Sequence, residues 1–157
     1  MMRVRLTGGK RFEAAVKEIA GRLSNPGTLR VGFLENATYP DGKYVAEVAA
    51  YNEFGHNIVR EGKVIGYCPP RPFFRNMIAK ESKGWPAAVA KQLKLTNYDP
   101  GKALERSGLG IKGQLQQSIK DTNEPPLAAS TIARKGFDKP LIDTGHMFNS
   151  VDFEVKK

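Results

Sequence analysis

The side chains in this chain that could do chemistry are few and scattered. There are two histidines, His56 and His146, and one thiol, Cys68. A zinc site needs several imidazole or thiolate ligands at fixed spacing, and these three residues do not make such a set. Surface or capping histidines are the plainer reading. Cys68 stands between Tyr67 and Pro69, where packing is expected; a reactive thiolate needs a neighbouring base, and no spacing implies one. A lone cysteine excludes a disulfide within the chain and agrees with a reducing compartment. No serine sits in an activating turn with a base at hand. Glu47 and Glu53 are six residues apart, which does not bring two carboxylates to one helix face. Thr7-Gly8-Gly9-Lys10 resembles the start of a phosphate loop without its second half or a preceding strand. Arg71, Phe73, Phe74 and Arg75 interleave charge with aromatic rings, as a single-strand stacking platform would. The competing reading places Phe73 and Phe74 at the start of an apolar helix face, in the core. The expectation is no enzyme, no metal and no cofactor.

Charge is the next signal. The chain has 157 residues and a formal net charge of +9. Residues 1–34 carry seven Lys or Arg against two Glu, and residues 71–94 carry six against one. Such patches can meet nucleic acid or an acidic protein partner, or simply stay solvated. Arg11, Lys17, Arg22, Arg75, Lys80 and Lys83 are the candidates for contact with DNA or an acidic partner. The length suits one domain spanning residues 1–157. No stretch approaches the ~20 apolar residues that cross a bilayer, so no membrane partner is expected. The first ten residues are basic without an apolar core, unlike a secretory signal, which points to synthesis in a cytoplasm.

The elements that must position these residues follow from periodicity. Phe12, Val16, Ile19 and Leu23 recur at helical spacing over residues 10–23, and Ser24-Asn25-Pro26-Gly27 stops that helix. Leu29, Val31 and Phe33 alternate as a strand. Residues 35–43 form a polar loop long enough to reach a neighbour. A helix over 44–54 places Val45, Val48, Ala49 and Asn52 on one side, with Gly55 as a left-handed stop. Residues 57–67 read as a hairpin turning at Glu61-Gly62. Pro69, Pro70 and Pro72 then hold the chain extended. Phe74, Met77, Ile78, Trp85, Val89 and Leu93 make a second helical stripe, which kinks or restarts at Pro86. Asp99 or Asn97 caps a further helix with Pro100 in its first turn and Leu104, Ile111, Leu115 and Ile119 as its apolar positions. Gly108, Gly110 and Gly113 each weaken it by ~1 kcal/mol relative to Ala, which close packing against another backbone would explain. A short helix over 127–135 ends at Gly136, Thr144 caps another turn, and Val151, Phe153 and Val155 alternate in a terminal strand. The order predicts an α+β fold with one small antiparallel sheet covered by helices.

Two punctuated segments remain, dense in Gly, Pro, aromatic residues and Asn. The first holds Val48-Ala49-Ala50-Tyr51-Asn52-Glu53-Phe54-Gly55 and, beyond the hairpin, Pro70-Arg71-Pro72-Phe73-Phe74-Arg75. The second holds Thr131-Ile132, Lys135-Gly136, Pro140-Leu141-Ile142-Asp143-Thr144-Gly145 and Ser150-Val151. Together they resemble the neck and tail-completion proteins of long-tailed bacteriophages and the related virion morphogenesis proteins of contractile-tailed phages. The resemblance implies a virion structural protein of the head-to-tail junction, made in the bacterial host cytoplasm, without cofactor or catalysis. It implies a ring-type homo-oligomer whose other partners are connector, tail terminator or tail tube proteins, with transient DNA contact. Asn52, Glu53, Phe54, Gly55, Pro70, Arg71, Pro72, Phe73, Asp143, Thr144 and Gly145 are the assembly or geometry residues on this reading. The loop and the hairpin would make the contacts between subunits. A free basic nucleic-acid-binding module is the alternative, resting on charge alone, and a small hydrolase or nuclease is a remote third.

Overall fold

The computed structural model describes residues 8–156. The basic start of the chain, including Thr7 of the partial phosphate-loop pattern, lies outside the described residues. Helix α1 (Gly9–Leu23) is followed by β1 (Thr28–Phe33), α2 (Val45–Phe54), the hairpin strands β2 (His56–Arg60) and β3 (Lys63–Cys68), and α3 (Phe73–Glu81). Then come α4 (Trp85–Leu95), α5 (Pro100–Asp121), α6 (Ala129–Lys135), α7 (His146–Asn149) and β4 (Val151–Lys156). The fold is α+β, as the order of elements implied.

The core is centred on α5, the longest helix. Leu115 and Ile119 on its inner face are fully buried with Val45 and Ala49 of α2, Phe73 and Met77 of α3, Met147 of α7 and Val151 of β4. Asp99 caps α5 by accepting a hydrogen bond from the Lys102 amide at 3.1 Å, with Pro100 following in the first turn. The stripe through Pro86 resolves into two helices: α3 ends in a 3-10 turn at Ser82–Gly84, and α4 starts at Trp85 with Pro86 in its first turn.

β1 and β4 pair antiparallel, Thr28 opposite Lys156 and Phe33 opposite Val151, and one face of this ribbon lies on α5. There Gly108 is required. A Cβ at that position would stand 2.4 Å from Cδ2 of Phe153 and 2.9 Å from Cδ1 of Leu29. The close packing is therefore with strand side chains rather than with another backbone. Gly110 and Gly113 have nothing within 4 Å of such a Cβ and gain no packing from being glycine.

Three further expectations change. The single sheet is two separate two-stranded ribbons, β1–β4 and β2–β3, because the hairpin stands away from the body instead of adding to the sheet. The loop over 35–43 is not simply extended but is ordered by bonds of its own. Tyr39 donates its amide to the Lys43 carbonyl at 2.8 Å, Gly42 to Tyr39 at 2.9 Å, and the Tyr39 ring packs against the core. Helix α6 begins at Ala129, two residues later than the pattern over 127–135 suggested. The amphipathic α1 forms as read, yet no residue of it is buried, and Phe12 and Val16 are exposed.

Candidate functional site

The first punctuated segment folds into a clamp at the base of the hairpin. Helix α3 begins after Pro72, which has neither an amide hydrogen nor a side-chain acceptor for capping. The second and third amides of α3 would be left without partners. Glu53, at the end of α2, supplies the missing cap. Its carboxylate accepts from the Phe74 amide at 2.9 Å and the Arg75 amide at 3.1 Å, and from Arg75 Nε at 2.8 Å. The residue is 5% exposed. A buried carboxylate is tolerable here because three donors and the positive end of a helix surround it. Arg75 also donates to the Glu53 carbonyl at 3.0 Å, and its guanidinium lies 5.0 Å from the centre of the Phe54 ring. Asn52 fills the helix end: its amide donates to the Val48 carbonyl at 2.9 Å, and its own carbonyl accepts from the Arg71 amide at 2.7 Å.

Gly55 turns the chain from α2 into β2 with φ 75° and ψ 163°. This is a positive-φ extended conformation, not the left-handed helical one expected of a helix stop. A Cβ there would be 2.6 Å from the Tyr67 hydroxyl, 2.8 Å from the Cys68 carbonyl and 3.0 Å from the Pro70 nitrogen. Gly55 therefore lets both strands of the hairpin approach their common base. Arg71 is 4% exposed, so it is no platform for nucleic acid. Its guanidinium donates to the Pro125 carbonyl at 3.2 Å, the Pro126 carbonyl at 3.5 Å and Cys68 Sγ at 3.6 Å. Phe73 is buried at 1%. The stacking reading of Arg71, Phe73, Phe74 and Arg75 thus gives way to core and clamp.

The clamp presents a ribbon whose apolar side chains face water. Ile58, Val59, Val64, Ile65 and Tyr67 are all exposed. Glu61 and Gly62 form the tip with φ 50° and 75°, the pair of positive values that a two-residue hairpin loop of the twisted type needs. Ile58 pairs with Gly66 and Val59 with Val64, so Ile65 is an extra residue that kinks the ribbon. An isolated two-stranded hairpin is marginal in water.

The second segment is a brace. Gly136 takes the left-handed conformation and ends α6, its amide donating to Ile132 at 2.8 Å. The Lys135 ammonium donates to the Lys139 carbonyl at 2.6 Å and to the Ile142 carbonyl, and burial lowers its pKa. Thr144 Oγ1 accepts from the His146 amide at 3.3 Å, and Gly145, at φ 80°, sets the first turn of α7. His146 meets the Thr38 carbonyl through Nε2 at 2.8 Å and lies 4.7 Å from the Tyr39 ring. Burial, with the Asp143 and Asp41 carboxylates nearby, raises the Tyr39 pKa. Asp143 is exposed, and the cap of this turn comes from Thr144 instead.

Of the basic candidates, Arg11, Lys17 and Lys83 are exposed side chains outside these networks. Arg22 bonds Glu18 at 2.7 Å and the Asn97 carbonyl at 3.0 Å, Lys80 lies 3.6 Å from Glu81, and Arg75 belongs to the clamp. Three of the six thus have partners of their own and three have none among the described residues. Among the described residues, no three His, Cys, Asp or Glu side chains form a group that could hold a metal, and no helix is long and apolar enough to cross a membrane.

One feature was not anticipated. An apolar trough of about 480 Å³ lies between β1, α2 and the start of α3. Leu34, Ala46, Ala50, Phe54 and Phe74 line it, and Gly32 forms part of its floor. Ala46, Ala50 and Phe54 share one face of α2, beside the buried Val45–Ala49 face, and Ala49 itself reaches the lining. That stripe was readable as small and apolar, but nothing local told that it stays open. Compared with known proteins, the chain matches no family model, no curated protein and no solved structure.

Proposed function

We propose that this chain is a bacteriophage virion structural protein of the head-to-tail junction, a neck or tail-completion protein that works as an oligomer. The observation that carries the reading is the clamped hairpin. The residues that bear the resemblance to neck proteins, Asn52 to Gly55 and Pro70 to Phe73, converge on its base, where Glu53 caps α3 and Gly55 admits the close approach of β3; on this reading they hold the hairpin in place. They contribute geometry, and the apolar ribbon that they present is suited to contact between proteins. Rigidity lowers the entropy lost when such a ribbon docks, and repeated copies multiply one modest contact. Connector, tail terminator and tail tube proteins are the partners expected on this reading, with the virion neck as location.

The test is a virion map together with deletion of the gene. Density for the chain between portal and tail tube, and separate heads and tails on deletion, are the expected results. Absence of the chain from purified particles would refute the reading. The free nucleic-acid-binding alternative keeps one supporting observation, the exposed Arg11 and Lys17 on a helix with no buried side. It predicts tight duplex binding by a monomer that falls steeply with salt in a gel-shift titration.

A further inference from the structure

We infer that the hairpin of one copy docks in the trough of the next copy. The inference rests on the oligomer reading above and names its interface. Two apolar features of the same chain lack a partner among the described residues. One is convex, the ribbon with Ile58, Val59, Val64 and Ile65 exposed; the other is concave, the trough lined by Leu34, Ala46, Ala50 and Phe74. No residue of the ribbon lines the trough, so neither feature satisfies the other within one copy.

Charge favours the match. The ribbon carries Arg60 and Lys63 against Glu61 and so has one excess positive charge. The trough lining has Glu35, Glu53 and Glu154 against Arg30 and Arg75 and so has one excess negative charge. Glu53 pairs with Arg75 at 2.8 Å and Glu154 with Arg30 at 3.7 Å. Exposed Glu35 is then the lining carboxylate left to meet the basic tip. β1 has β4 on one side and no strand on the other among the described residues. An incoming strand along β1 would gain main-chain hydrogen bonds as well as apolar contact. A protrusion on one surface and a socket on another make a head-to-tail contact, which closes into a ring when the rotation between copies allows.

The experiment uses the full chain in sedimentation velocity and light scattering. Ile65→Asp disables the ribbon and Ala50→Glu disables the trough; Val64→Asp and Ala46→Glu repeat each arm. All four positions are exposed, and circular dichroism checks that each variant is folded. Each variant alone should weaken self-association roughly 30-fold or more, as loss of an interface hot spot does. Mixing Ile65→Asp with Ala50→Glu should restore one intact contact per pair and give a dimer that does not grow. The inference is overturned if the trough variants associate like the parent chain, if the mixture stays monomeric, or if the parent chain is monomeric up to about 1 mM. Trough variants that still enter virions at the neck would sink this contact and leave the neck reading standing. A working contact in a chain absent from virions would do the reverse.

Discussion

Replacing Glu53 by Ala tests whether the clamp holds the hairpin. The substitution removes the acceptor of the Phe74 and Arg75 amides and of Arg75 Nε. Losing a helix cap costs about 1 kcal/mol. A second amide left without a partner in a buried place costs about 1 kcal/mol more. The ion pair adds little, about 0.5 kcal/mol, because the Arg75 side chain is 56% exposed and water replaces its partner. The expected loss is about 2–3 kcal/mol, or roughly 5–10 °C in Tm for a chain of this size. Urea unfolding followed by circular dichroism measures it. Glu53→Gln keeps one good acceptor and should lose less than half as much. Arg75→Ala should cost about 0.5 kcal/mol. Amide hydrogen exchange in residues 56–68 should quicken in Glu53→Ala more than in α5. A Glu53→Ala variant within about 0.5 kcal/mol of the parent would refute the cap, as would an Arg75→Ala variant equally damaging.

Three further outcomes follow from the geometry. Gly55→Val should destabilise by about 3 kcal/mol or more, since it combines positive φ with a backbone contact of 2.8 Å to the Cys68 carbonyl and a 2.6 Å contact to the Tyr67 hydroxyl, while Gly145→Val meets only Asn149 at 3.6 Å and should cost about 1–2 kcal/mol; thermal melts rank the two. Gly110→Ala and Gly113→Ala should each stabilise by about 0.5–1 kcal/mol, and Gly108→Ala should destabilise despite the better helix former, because Phe153 and Leu29 must move. The Lys112 ammonium donates to Asp152 at 3.1 Å and holds its carboxyl below the usual range. The folded pKa is depressed, so the stabilisation is present above about pH 4 and is lost as pH falls through the folded value. Asp41 and Asp99 are depressed too, so the measurement is the difference between the parent chain and Lys112→Met, which should lose a fraction of a kcal/mol at pH 7 and nothing at low pH.

Local signals were legible where the chain answers to its own neighbours. Asp99-Pro100 opened a helix, Glu61-Gly62 turned a hairpin, Gly136 stopped α6, and alternation at Val151, Phe153 and Val155 made a strand. Long-range partnership was not legible. Glu53 and the α3 amides are brought together by folding across the hairpin, and no periodicity announces a cap borrowed from another helix. Arg71 looked like a surface cation because arginine usually is one; carbonyls of Pro125 and Pro126 bury it. Hydrophobic spacing identified the apolar face of α1, but spacing says nothing about what covers a face: Phe12 and Val16 stay exposed while Ile19 and Leu23 are half-buried. The stripe of Ala46, Ala50 and Phe54 on α2 was readable as apolar, but the open trough it lines exists only with β1 and the start of α3 beside it.

The pairing of β1 with β4 has a consequence for biosynthesis. β1 leaves the ribosome well before β4, its only strand partner among the described residues, with Thr28 opposite Lys156. Until then Leu29, Val31 and Phe33 have no strand beside them. Helix α5 emerges in the interval and offers the Gly108 hollow against which Leu29 can rest. A nascent chain halted before Val151 would keep its hairpin and clamp but lack the ribbon's second strand, leaving a sticky intermediate exposed to aggregation. Native topology thus places the slow, long-range closure after the local parts have formed.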